Sequence, residues 1–266
     1  MKSAPQIHLS DVQAVYSGAE GRLWELLMGE QIHIGGFQSS MDLAQRAGIA
    51  AGSRGVDLCC CIGAGMRFLV RFLNVAHMTG VDATPAMIQL GRQRAAAEGL
   101  ADKISFVEKN VCASGLPSGQ FDFVWGEDAW CYVEDKTKLI SEAARLVKPG
   151  GKIAFTDWLE GAGLADAEAA RYLAFMKFPN IVTLGEYQSL LEKNGCAVKV
   201  AHDTGRFATV MPLYLGMIEN QLTYDALKII GFDTALAATL VGEMKFILSL
   251  VQAGKIIQGL IVAEKG

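Results

Sequence analysis

The sequence predicts an α/β fold, a mostly parallel sheet with helices on both faces. Three observations carry this reading. Short β-rich apolar runs alternate with helical stretches through the middle of the chain. Acidic or amide residues follow several of those runs, where the strands of such a sheet end. The chain has 266 residues, 51% of them apolar, enough for one large domain with a sizeable core.

Taken in order, "GVDLCC" from Gly55 reads as the first strand and "MRFLVRFL" as the helix after it. "AHMTGVD" is a second strand, followed by a helix that Thr84-Pro85 starts and Gly99 closes. "ISFVEKN" is a third strand and "FDFVWGE" a fourth, backed by the helix "DKTKLISEAARLVKPGG". "KIAFTDW" is a fifth. Beyond Trp158, "AGLADAEAARYLAFMKF" reads as an extra helix, and "LGEYQSLLEKNG" with "CAVKVAHD" restores a helix and a strand. From Arg206 to about Gly254 the pattern is helical and rich in Met, Leu and Tyr. "IIQGLIVAEK" returns as the seventh strand. The helical block between the last two strands is far longer than an ordinary loop, as expected of a lid over a substrate. Three parts follow: an N-terminal helical segment over 1–50, a core over 51–205 and 255–266, and a lid over 206–254.

Lys and Arg number 24 against 28 Asp and Glu, with no long run of one sign, which gives no footprint for a nucleic acid or an anionic membrane. The N-terminus lacks the apolar run of a signal peptide. The late segment "FILSLVQAGKIIQGLIVAEK" is broken by Gln252, Gly254, Lys255 and Gln258, so no membrane span is expected there. The six cysteines do not form the spacing of a secreted disulfide framework, and a reducing cytoplasm is expected.

Ligands of an open parallel sheet bind beyond the carboxyl ends of its strands. Those ends carry Asp57 through Gly65, Asp82, Asn110-Val111, Glu127-Asp128 and Asp157-Trp158. A carboxylate such as Asp82, one strand on from Asp57, can accept bonds from two ribose hydroxyls; it can equally be a helix-start residue favoured by the dipole. Asn110 can accept from an adenine amino group with the Val111 amide on a ring nitrogen, or simply make a turn.

"VDLCCCIGAG", "TGVDATPAMI", "FDFVWGEDAW" and "EAARLVKPGGKIAFTD" resemble, in order and spacing, the motifs of class I S-adenosylmethionine-dependent methyltransferases. "YSGAEGRLWELLMGEQIHIGGF", Tyr16 to Phe37, resembles the start of small-molecule enzymes of the sarcosine/dimethylglycine and tocopherol type, and the late helical insert resembles the former. The resemblance implies a Rossmann-like seven-stranded sheet and S-adenosyl-L-methionine as cofactor, released as S-adenosyl-L-homocysteine. Tyr16, Gly35, Asp57, Cys59, Cys61, Gly63, Asp82, Ala83, Met87, Asn110, Val111 and Glu127 would then contact it. It implies transfer to a small molecule, with an amine nitrogen favoured. A carbon or oxygen of a quinone, terpenoid or phenol is the alternative, and a cofactor-binding protein without chemistry is another. A homo-oligomer is compatible with the family.

Two positions depart from the family pattern. Cysteines replace the first two glycines of the loop, at Cys59 and Cys61; because a Cβ disfavours positive φ, both are expected in ordinary conformations, with Gly63 making the tightest approach and Cys60 packing the core. Asn110 stands where an acidic residue usually faces the adenine. Consecutive cysteines cannot readily face one tetrahedral ion, so the triplet is read as scaffold and no metal is assigned.

For catalysis, His33 and Tyr132 are the candidate groups that could take a proton. Trp130, Tyr132, Trp158 and Tyr214 are candidate walls for the acceptor, and Arg206 a candidate clamp for a carboxylate. Asp128 either faces the transfer space or pairs with a cation such as Arg67. Met211, Met217 and Met244 read as packing.

Overall fold

The computed structural model describes residues 1–4 and 6–266. A two-residue strand, β1 (Lys2–Ser3), precedes three helices, α1 (Leu9–Ser17), α2 (Ala19–Met28) and α3 (Gly36–Ala47). Strands and helices then alternate: β2 (Arg54–Leu58), α4 (Ala64–Leu73), β3 (His77–Asp82), α5 (Pro85–Ala97), β4 (Ile104–Glu108) and β5 (Phe121–Glu127). A 3₁₀ turn at Trp130–Tyr132 leads to α6 (Lys136–Leu146) and β6 (Val147–Glu160). Next come α7 (Asp166–Met176), β7 (Asn180–Ile181), α8 (Leu184–Lys193) and β8 (Cys196–Asp203). The insert holds α9 (Arg206–Glu219), α10 (Thr223–Ile229) and α11 (Thr234–Gln252), and β9 (Ile256–Lys265) ends the sheet.

The main sheet has seven strands in the order β4-β3-β2-β5-β6-β9-β8. All neighbours pair in parallel except β9, which runs antiparallel to both β6 and β8. β1 and β7 form a separate antiparallel pair, which the sequence pattern does not announce. The order reverses direction between β2 and β5, so a crevice opens beyond the carboxyl ends of these two strands.

Central strands buried on both faces explain the near-continuous apolar runs. One face packs α6 and α8, through Leu139, Ile140, Ala143, Tyr187 and Leu191, onto Val56, Leu58, Val124 and Phe155. The other packs α3, α4 and α5, through Leu43, Met66, Leu69 and Ile88, onto Met78, Phe123 and Trp125. Each such fully buried side chain contributes about 1.5–3 kcal/mol. Local signals agree with the packing: Pro85 opens α5, and Thr183 with Glu186 forms a reciprocal cap on α8.

A third apolar cluster joins the N-terminal segment, α7 and the insert, centred on Tyr172, Phe178, Phe207 and Ile247. The insert is buried most deeply at its roots, with Arg171 of α7 also pairing with Glu243 of α11. α10 buries no residue, and α11 buries only Ile247, Leu250 and Val251 near its end. Among the described residues α11 alone is long and apolar enough to cross a membrane by length and composition, with mean hydropathy 1.6 over a window that is 17% buried. Its apolar stretch begins at Thr234, upstream of the segment examined in the sequence.

Candidate functional site

β2 ends at Leu58, not within the cysteines as the sequence pattern suggests, and the chain turns at once into a loop that reaches α4 at Ala64. The expectation for that loop is corrected: Cys59 has φ 67° and Cys61 φ 46°, with Gly63 at φ 73°. What overrides the local preference is bonding to the neighbouring strand. The Cys59 and Cys60 amides donate to the Val81 carbonyl at 2.9 and 3.2 Å, and the Cys61 amide donates to Asp82 Oδ2 at 2.9 Å. Cys60 is buried and lies against Gly80, where a Cβ would come within 2.5 Å of its sulfur. Burial raises the pKa of all three thiols, so they stay protonated and make poor nucleophiles or metal ligands. Among the described residues no group of three or more His, Cys, Asp or Glu is arranged to hold a metal ion.

The loop forms one wall of a cleft of about 1320 Å³. Of the residues expected to meet a cofactor, Tyr16, Asp57, Cys59, Cys61, Asp82, Ala83, Met87, Asn110, Val111 and Glu127 line it, and His33 and Tyr132 join them. Gly63 and Gly35 do not. Gly63 sits behind the wall, where a Cβ would strike Phe106 and Met66, and Gly35 packs on the Arg206 side chain. Asn110 Oδ1 already accepts from the Cys112 amide at 2.9 Å, closing a turn. The sequence reading missed Cys60, Ile62, Thr84, Cys112 and the buried Lys136, which also line the cleft. Cys60, Ile62 and Thr84 stand within the quoted motifs, whereas Cys112 and Lys136 are brought in by loop paths.

The cleft is acidic at its centre. Burial raises the Asp57 carboxyl above its ordinary range, and the nearby Glu127 and Asp82 push it further. Asp82 is also raised by burial, against the opposing bonds from the Thr84 and Cys61 amides. Neither carboxylate has an ion pair among the described residues. A ligand bringing positive charge and hydroxyl donors would complement this wall, and S-adenosylmethionine carries a sulfonium, an ammonium and a ribose diol. Gly65 keeps the wall open, since a Cβ there would lie 2.7 Å from Glu127 Oε2 and 3.6 Å from Asp57 Oδ2. The volume exceeds the ~300–1,000 Å³ typical of small-molecule sites, leaving room beside an elongated cofactor.

His33 is 4% exposed, with Nε2 at 3.4 Å from Glu127 Oε1 and 3.2 Å from Ser40 Oγ. Ser40 Oγ donates to Glu127 Oε1 at 2.7 Å and accepts from Gln31 Nε2 at 3.1 Å, so toward His33 it faces as an acceptor. In a neutral imidazole with Nε2–H on Ser40 and Glu127, the lone pair lies on Nδ1, which is buried without a partner among the described residues. Trp125 Nε1 holds the far oxygen of Glu127 at 3.0 Å. Ser40 was missed in the sequence because nothing local ties a serine of α3 to the end of β5. Tyr132 meets Tyr16 edge-on, ring centres 5.4 Å apart. Burial raises the Tyr132 phenol well above its usual range, so it keeps its proton and is no base at neutral pH.

Two acceptor candidates are displaced. Trp130 is fully buried, stacked on Phe155 at 4.0 Å, and donates Nε1–H to the Leu58 carbonyl at 3.1 Å, so it is core and lines no cavity. Arg206 lines none either. Its guanidinium donates to Ser39 Oγ at 3.0 Å, Gln258 Oε1 at 2.7 Å and Asp42 Oδ2 at 3.1 Å, pinning the start of α9 to α3. Trp158 and Tyr214 line a smaller cavity behind His33. Asp128 bonds the Ile34 amide and Gln258 instead of a cation, and Arg67 pairs with Glu30 and Glu98. Met211 and Met244 line cavities, while Met217 is exposed.

Residues 56–155 match a methyltransferase domain family. A rice (Oryza sativa subsp. japonica) protein named probable tocopherol O-methyltransferase, chloroplastic, is 30% identical over 55% of this chain and 46% of its own length. A structure from Galdieria sulphuraria, assigned as a sarcosine dimethylglycine methyltransferase, superposes with a TM-score of 0.81 at 22% identity, over 92% of this chain and 97% of that one. The Haemonchus contortus phosphoethanolamine N-methyltransferase 2, solved with phosphomonomethylethanolamine and S-adenosylhomocysteine, reaches 0.84 at 22% identity over 95% of this chain and 58% of its own. The chain spans about half the length of the curated relatives it matches. The chain has the fold of these solved methyltransferases, and its residues 56–155 are similar to a methyltransferase domain.

Proposed function

We propose that this chain moves a methyl group from S-adenosylmethionine to a small-molecule acceptor. The observation that carries the reading is the cleft at the β2/β5 crevice, lined by Asp57 and Asp82, which have no ion pair among the described residues, and by His33. Asp82 would hold the ribose hydroxyls, the loop from Cys59 to Gly63 the methionine end, and the Asn110–Val111 turn the adenine. The bound cofactor supplies a methyl group already activated by its sulfonium. The chain's part is alignment and the exclusion of water, with Tyr16, His33 and Tyr132 closing the inner end of the cleft. His33, held by Ser40 and Glu127, would take the acceptor's proton on Nδ1 as the acceptor takes the methyl group. The replaced glycines, which favoured a protein without chemistry, lose that weight because Cys59 and Cys61 keep the positive φ of a glycine loop.

Calorimetry of the purified chain tests the proposal: S-adenosylmethionine should bind, and Asp82→Ala should weaken it about ten- to a hundredfold, the loss of charged hydrogen bonds of ~1.5–3 kcal/mol. A chain that binds neither S-adenosylmethionine nor S-adenosylhomocysteine would overturn the reading.

A further inference from the structure

Two further cavities lie behind the cleft, of about 50 and 150 Å³. The smaller shares Tyr16, Ile32, His33, Asp128 and Tyr132 with the cleft. It shares Trp24, Leu27, Met176 and Met244 with the larger, which continues between α2 and the insert. Shared lining residues thus set the three side by side, from the acidic cleft, across Tyr16, Tyr132 and His33, to an apolar chamber under α10 and α11.

The chemistry along that path changes sharply. No lysine or arginine lines either inner cavity among the described residues, and the acidic side chains of the larger, Glu20 and Glu219, are exposed. Asp128, the carboxylate of the smaller cavity, is satisfied by Gln258 and the Ile34 amide. The nearest guanidinium suited to a carboxylate, that of Arg206, is consumed by Asp42, Ser39 and Gln258. An acceptor carrying a carboxylate or phosphate would lose its hydration there with no counter-charge, at a cost of several kcal/mol. His33 lines both the cleft and the smaller cavity, and its Nδ1 has no partner among the described residues.

We infer that the acceptor is a neutral apolar molecule with one ionisable polar end, of the phenol or enol kind. Its polar end sits at His33, and its hydrocarbon body runs past Trp24 and Met176 into the chamber under the insert. This rests on the methyltransferase reading and narrows it to an oxygen acceptor or a carbon made nucleophilic by ionisation. It reverses the preference for an amino-acid amine. In the transfer the acceptor's oxygen or carbon supplies the electron pair of the new bond to the methyl carbon, the pair of the breaking C–S bond stays on sulfur to give the neutral thioether, and the acceptor's proton goes to His33.

The test is calorimetry on the chain loaded with S-adenosylhomocysteine, titrated with para-alkylphenols of increasing chain length and, separately, with sarcosine and phosphoethanolamine. Affinity should rise about fourfold for each methylene until the chamber is full. Ala237→Phe, which fills the larger cavity, should flatten that dependence, while S-adenosylhomocysteine binding on the same sample reports that the variant is folded. Chain-length-independent phenol binding, no phenol binding, or tighter binding of sarcosine or phosphoethanolamine would each overturn the inference. Failure of S-adenosylhomocysteine itself to bind would instead strike the underlying methyltransferase reading.

Discussion

The cleft and the two cavities behind it are lined with different material. On the sheet side, Asp57, Asp82, Asn110 and Glu127 stand at strand ends, and backbone amides hold Asp82 and Asn110. On the lid side, Trp24, Met28, Met176, Met211 and Met244 present apolar, adaptable surface, with α10 burying nothing. A rigid polar wall suits a ligand of fixed shape and charge; a methionine-rich wall suits a ligand recognised by shape and apolar area. In the proposed reading the cofactor takes the sheet side and the acceptor the lid side, with His33 at the seam.

The seam should give the largest effect. His33→Gln removes the lone pair on Nδ1 yet keeps an amide near Ser40 and Glu127. If the acceptor must lose a proton, the single-turnover transfer rate should fall about 10²–10⁴-fold. Cofactor affinity, set on the sheet side, should stay close to that of the native chain. An unchanged rate would show that the acceptor ionises unaided and that the seam is only a wall.

A smaller effect comes from the acidic wall itself. The carboxyls of Asp57 and Asp82 are raised in the folded chain, chiefly by burial. Raised carboxyls give stability that is fully present below the unfolded value of ~3.9 and lost as pH rises through the folded value. The ligand-free chain should therefore lose melting temperature as pH climbs from the acid side through those raised values. A cationic cofactor prefers the ionised wall, so the gap between free and loaded melting temperatures should widen with pH. Scans of both forms from mildly acid to neutral pH would check this, and a constant gap would break the assignment of the cation to this side.

The same contrast explains how far the sequence could be read. Strands, their acidic ends and the insert are local patterns, and Asp57, Asp82 and Glu127 follow from the rule that strand ends meet ligands. The lid side was opaque because its cavities exist only where α2, α7 and the insert meet, so Trp24 and Met176 carry no signal. Trp130 and Arg206 were misplaced for a related reason: an aromatic after a strand or an arginine at a helix start can face either way. Tertiary contacts to Leu58 and Asp42 decide it. Ser40 belongs with them, since its partner Glu127 is brought to it only by folding.

The cysteine loop offers the finest probe of the sheet side. Cys59 and Cys61 hold left-handed backbone conformations at a cost of roughly 1–2 kcal/mol each for a residue with a Cβ. Glycine removes that cost but adds freedom to the unfolded chain worth about 0.4–1 kcal/mol. Cys59→Gly and Cys61→Gly should each therefore stabilise the chain by about 0.5–1 kcal/mol, raising the melting temperature by a few degrees at most. Cys60→Gly should do the reverse, because that side chain is buried in the core against Gly80. Three adjacent cysteines would thus give opposite signs according to whether backbone or side chain is at stake. If Cys59→Gly and Cys61→Gly were instead clearly destabilising, their thiols would be packing the cleft wall more strongly than the backbone strains it.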